Sequence, residues 1–111
     1  MNIEQHRHGA VLVIRPDGPL VEDGVPEFIQ KMMDSVRKHA GRVVVDASTM
    51  PYIDSDGLTA IVEASETIAQ SGRALKLCGA QDTVREVLEL TDVSHLFEHY
   101  EDVTTAVRSF L

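Results

Sequence analysis

The sequence predicts a mixed α/β fold in which a pair of strands is followed by strands alternating with helices, ββαβαβαβα. Three observations carry the expectation. Val43-Val44-Val45 is apolar on both faces of an extended chain, which suits a central strand covered on both sides. Val25, Phe28, Ile29, Met32, Met33 and Val36 recur at helical spacing and make one sustained stripe. Glycine or proline stands between most of the periodic segments, where turns are needed.

In chain order, residues 2–8 are polar and only loosely strand-like. Gly9 permits a turn into Val11-Leu12-Val13-Ile14, so the first two strands read as an antiparallel pair ended by Pro16, Gly18 and Pro19. The stripe from Val25 makes the first helix, stopped at Gly41. Residues 42–46 form the third strand. A second helical pattern over 56–70, through Leu58, Ile61, Val62 and Ile68, ends at Ser71-Gly72. The fourth strand covers 73–78, and a third helix starts near Asp82 with Val84, Val87 and Leu88 on one face. Residues 95–100 are a short strand, and an amphipathic helix from Glu101 turns Val103, Ala106, Val107 and Phe110 inward. This order implies a mostly parallel sheet with right-handed crossovers, helices largely on one face, and an antiparallel N-terminal strand at or near an edge.

At 111 residues the chain reads as one domain, 1–111, with no linker, repeat or low-complexity tail. With 43% hydrophobic and 25% charged residues it has the make-up of a soluble globular protein. No apolar run approaches the roughly 20 residues of a membrane span, so no membrane insertion is expected. The opening Met1-Asn2-Ile3-Glu4-Gln5-His6 lacks signal-peptide character. Cys78, the only cysteine, has nothing to pair with, which fits a reduced thiol and a cytoplasmic location. A net charge of −8 argues against nucleic acid and is compatible with a partner that presents a basic face.

The chemistry concentrates in Asp54-Ser55-Asp56-Gly57-Leu58, after the valine strand and a short loop. Ser55 there has its hydroxyl at a helix N-terminus, where free backbone N–H groups and the positive end of the dipole favour a phosphate. The same residue types make an ordinary helix cap. Met50, Pro51, Tyr52 and Ile53 just before it offer an apolar patch: Met50 and Ile53 fit surface or core equally, and Tyr52 is expected to be exposed.

This order of elements, with Asp-Ser-x-Gly-Leu opening the second helix, resembles the STAS domain, and more narrowly the stand-alone bacterial anti-sigma factor antagonists. The likeness extends through Arg42-Val43-Val44-Val45-Asp46, Tyr52-Ile53-Asp54, Ala74-Leu75-Lys76-Leu77, residues 84–91 and residues 101–106. It implies that Ser55 is a phosphoacceptor and that residues 52–58 (Tyr52, Ile53, Asp54, Ser55, Asp56, Gly57, Leu58) form the partner surface. It further implies an anti-sigma factor that is itself the serine kinase, and a metal-dependent phosphatase that reverses the modification. The unphosphorylated form would bind the anti-sigma factor and free the sigma factor, acting as a regulated ligand and not as an enzyme. Two positions depart from the pattern. Asp56 stands where Ser or Thr is usual, placing a fixed charge beside the acceptor. After Gly18-Pro19-Leu20 comes Val21, with Glu22 and Asp23 displaced from the place of the usual acid.

Other readings fit less of the chain. STAS proteins also serve as small subunits of lipid transporters or regulate anion transporters, which would need no kinase. Asp46-Ala47-Ser48-Thr49-Met50-Pro51 resembles the phosphoacceptor loop of response-regulator receivers, with Asp46 as acceptor. Receivers hold magnesium with an acidic pair after the first core strand. Here Arg15-Pro16-Asp17 supplies one acid. His6-x-His8 and His95-x3-His99 lack a third ligand at useful spacing, so no metal is expected. With no paired carboxylates and no Gly-rich phosphate loop, neither catalytic residues nor a cofactor is expected.

Overall fold

The apolar runs become strands and the stripes become helices, in the predicted order. The computed structural model describes residues 1–111: β1 (Asn2–His8), β2 (Val11–Asp17), α1 (Val25–Lys38), β3 (Val43–Asp46), α2 (Ser55–Ala69), β4 (Leu75–Cys78), α3 (Asp82–Leu90), β5 (Phe97–Tyr100) and α4 (Val103–Arg108). Short 3-10 turns at Glu22–Gly24 and Ser94–Leu96 precede α1 and β5. β2 runs further than expected, through Pro16. Beyond Ile14 it pairs with β1 alone, so that stretch is single-sided and tolerates a residue without an N–H.

The strands lie side by side in the order β1-β2-β3-β4-β5. β1 is antiparallel, with His8 opposite Val11 and Asn2 opposite Asp17. The others are parallel, with Val44 beside Val13 and Lys76. Each new strand is added on the same side of the last. Right-handed crossovers therefore put α1, α2 and α3 on one face. α4 follows the last strand, crosses to nothing, and folds onto the opposite face.

The valine run serves both layers. Val43 and Val45 join the larger core with Phe28, Met32, Ile61 and Leu77, all at most 1% exposed. Val44 faces the smaller layer with Val11, Val13, Cys78 and Ala106. Each buried Val, Leu, Ile, Met or Phe among them contributes roughly 1.5–3 kcal/mol through burial. Lys76 also points to this second face and is only 7% exposed. Its ammonium donates to Glu98 Oε1 at 2.8 Å and to the Tyr100 hydroxyl at 3.3 Å, and lies 4.4 Å from the Phe110 ring centre. A buried cation needs such partners. The same Lys76 ammonium, with the Tyr100 hydroxyl, holds the Glu98 carboxyl below the usual range.

Burial, and then the nearby charges of Asp46 and Asp102, push the Cys78 thiol up to about 12. The native thiol thus stays protonated while an unfolded chain would ionise first. The stability this confers is intact below the ordinary thiol range and is lost as pH rises toward 12. We expect no alkylation of the native protein by iodoacetamide at pH 8, with full labelling in denaturant. Rapid native labelling at that pH would mean that α4 does not seal this layer.

Candidate functional site

The site is built by two loops at the carboxyl ends of β2 and β3. After β3, the Asp46 carboxylate accepts from Ser48 N at 3.0 Å and closes a turn. The Thr49 hydroxyl donates to Pro16 O at 2.9 Å, and Gly18 N to Thr49 O at 3.0 Å, which tie this loop to the end of β2. Met50 goes to the core at 0% exposure, Ile53 at 7%, while Tyr52 stays 51% exposed. Ile53 forms a parallel bridge with Leu20: Leu20 N donates to Tyr52 O and Asp54 N to Leu20 O, both at 3.2 Å. α2 therefore begins from a pinned backbone.

Asp54 is the N-cap of α2. Its carboxylate accepts from Gly57 N at 2.8 Å and, with the other oxygen, from Glu22 N at 3.0 Å. One side chain thus satisfies a helix terminus and fixes the loop after β2. This contact to the loop after β2 runs through the backbone of Glu22 and not through its side chain. Gly57 is buried, and a Cβ there would lie 2.1 Å from Leu20 O. Only glycine lets the first turn of α2 press so close to the neighbouring loop. Ser55, the first residue of α2, is exposed. Its carbonyl accepts from the Thr59 hydroxyl at 2.9 Å, and its own hydroxyl is left to solvent. Asp56 beside it is exposed, and Leu58 is half-buried against the core.

The seven residues expected at the partner surface thus divide by position. Tyr52, Ser55 and Asp56 are presented outward, with Asp54 and Leu58 half-buried between. Ile53 and Gly57 face inward: one fills the core and the other sets the loop-to-helix distance, so both shape the surface from beneath. Asp46 lies under 10% exposed, closing its own turn. No group of three His, Cys, Asp or Glu is placed to hold a metal ion, and no helix is long and apolar enough to cross a membrane. What sequence reasoning missed is the double use of Asp54. A cap is legible from spacing, whereas its second partner, Glu22, lies 32 positions away.

Asp54→Ala removes both hydrogen bonds. The expected loss is about 2 kcal/mol, at the upper end for caps because the carboxylate serves two donors. Urea denaturation checks this, and a loss within 0.5 kcal/mol would show that neither bond matters to the fold.

Fold and site together define a small α/β domain that presents one uncommitted serine at a rigid helix start. The chain belongs to the STAS domain family, whose model matches residues 2–106. It is 23% identical over 109 residues to an anti-sigma F factor antagonist of Paenibacillus polymyxa, covering 96% of this chain and 92% of that protein. Among solved structures it is similar to a candidate anti-sigma factor antagonist of Thermotoga maritima, with a TM-score of 0.88, 22% identity, and coverage of 96% and 92% of the two chains. It also shares its fold with the Bacillus cell fate determinant SpoIIAA in the phosphorylated form, with a TM-score of 0.75, 14% identity, and coverage of 99% and 100%.

Proposed function

We propose that this chain is an anti-sigma factor antagonist switched by phosphorylation of Ser55. Family membership and the relative of that name support the class. The observation that carries the switch is local: Ser55 is the exposed first residue of α2 with an unengaged hydroxyl, while the flanking Asp54 is committed to the cap. In this reading the unphosphorylated form binds a cytoplasmic anti-sigma factor that is also a serine kinase, and the sigma factor is released. The kinase then turns the antagonist off. Ser55 Oγ attacks the γ-phosphorus of ATP held by the kinase, the Oγ–P bond forms as the bond to the ADP oxygen breaks, and the kinase supplies the base. A metal-dependent phosphatase restores the hydroxyl. The chain itself is a regulated ligand and not a catalyst.

Affinity capture with the Ser55→Ala protein, followed by mass spectrometry, tests the reading. The expected result is an anti-sigma factor with a kinase fold, which in pure form and with ATP modifies the wild type at Ser55 alone. Capture of a permease and its ATPase, with no modification of Ser55, would replace antagonism by the transporter-subunit role.

A further inference from the structure

On the α4 side of the sheet, the end of α4 and the amino ends of β4 and β5 border a cavity of about 240 Å³. It lies at the other end of the sheet from the Ser55 loop, and its volume is that of about eight waters at roughly 30 Å³ each. Two cations and one acid line it. Lys76 is more than nine-tenths buried, and two of its three ammonium donors go to Glu98 Oε1 and the Tyr100 hydroxyl, which leaves one without an acceptor in the protein. Arg73 donates from Nε to Ala40 O at 3.1 Å, which fixes the guanidinium, while both of its terminal nitrogens lack an acceptor in the protein. The acid, Glu98, is already engaged: its Oε1 accepts from Lys76 and, at 2.8 Å, from the Tyr100 hydroxyl. The Phe110 ring serves both cations, with its centre 5.9 Å from Arg73 Cζ and 4.4 Å from Lys76 Nζ. A structural ion pair accounts for Lys76 and Glu98 but leaves Arg73 unmatched. In a protein of net charge −8, this concavity carries one uncompensated positive charge and free donors beside an apolar ring. Few convergent polar groups against an apolar wall are the form of a small-molecule site.

We propose that this cavity binds a small monocarboxylate, its carboxylate held by the terminal nitrogens of Arg73 and the third donor of Lys76, its short apolar body against Phe110 and Ala74. The planar guanidinium fork matches a carboxylate with two parallel hydrogen bonds. One negative charge on the ligand balances the site, whereas a dianion such as phosphate leaves a second charge unmatched beside Glu98. Ser109, at the end of α4, also lines the cavity, so a bound ligand ties that end of α4 to the start of β4. No residue of the serine loop takes part, and the site stands whether or not the antagonist reading does.

The test is a titration of the full, isotope-labelled chain with sodium butyrate at constant ionic strength, followed by amide chemical shifts in NMR. Saturable shifts are expected at Arg73, Ala74, Ser109 and Phe110, with the resonances of the Ser55 loop unmoved. Butyramide, of the same size without the charge, should give no saturation. Arg73→Gln removes the fork at a half-buried position and should keep the fold, with affinity for butyrate lower by about tenfold or more. Arg73→Lys keeps the charge without the fork and should also bind more weakly than wild type. The control Arg85→Gln, the same charge change at an exposed position of α3, should bind as wild type. Absence of saturable shifts in the wild type would overturn the site. So would equal binding of butyramide, equal affinity in both Arg73 variants, or equal loss in the Arg85 control. Tighter binding of inorganic phosphate than of butyrate would overturn the monocarboxylate assignment.

Discussion

Gly57→Ala is expected to lower the unfolding free energy by about 3 kcal/mol or more, with a fall in Tm on the order of 10 °C. The added methyl would sit 2.1 Å from Leu20 O and 2.9 Å from Ile53 Cγ1. Real Cβ atoms do not approach backbone oxygen so closely, so either the start of α2 or the Leu20 backbone must shift. A shift there strains the Leu20–Tyr52 and Asp54–Leu20 hydrogen bonds and the Asp54 bridge to Glu22. Helix propensity alone would favour alanine over glycine by about 1 kcal/mol. The sign of the effect therefore separates close packing from propensity. Thermal and urea unfolding decide it, and a variant as stable as wild type would show that the two loops are not pressed together as described.

At Ser55 the largest effect should fall on binding and not on folding. Ser55→Ala should stay within about 1 kcal/mol of wild-type stability, since Asp54 continues to cap the helix. It should hold the anti-sigma factor equally well in the presence and absence of ATP. Ser55→Glu should fold and bind poorly. Within the chain, a negative group at this position is favoured by the helix dipole and opposed by Asp54 and Asp56, terms of roughly 1 kcal/mol each that nearly cancel. In the complex there is no such balance. Desolvating an unpaired charge against a partner costs several kcal/mol. A loss of about a hundredfold is expected for the glutamate variant, and binding equal to that of Ser55→Ala would count against the switch.

How much of this was legible in the sequence depended on the range of the interactions. The valine run and the α1 stripe are local patterns, and both formed the elements they predicted. The placement of α4 on the second face follows from chain direction once the strand order is known, because no strand remains for it to cross to. The exposed place of Ser55 at the start of α2 was legible because capping and motif spacing are local too. The burial of Met50 and Ile53 was not, since a short loop places either side chain inward or outward until Leu20 zips against it. A glycine at the third residue of a helix signals a constraint, yet the carbonyl that imposes it belongs to a residue 37 positions earlier (57 minus 20). Lys76 reads as a polar interruption of a strand, and only the adjacent β5 and the C-terminal Phe110 explain how it is buried.

The central claim is that a phosphate on Ser55 turns off a binding surface without refolding the chain. Titration calorimetry of the purified anti-sigma factor against the unphosphorylated protein and against protein fully phosphorylated on Ser55 tests it most directly, with circular dichroism of both forms as the check on folding. The account predicts superimposable spectra and an affinity weaker by about two orders of magnitude or more for the phosphorylated form. Equal affinities for the two forms would contradict it.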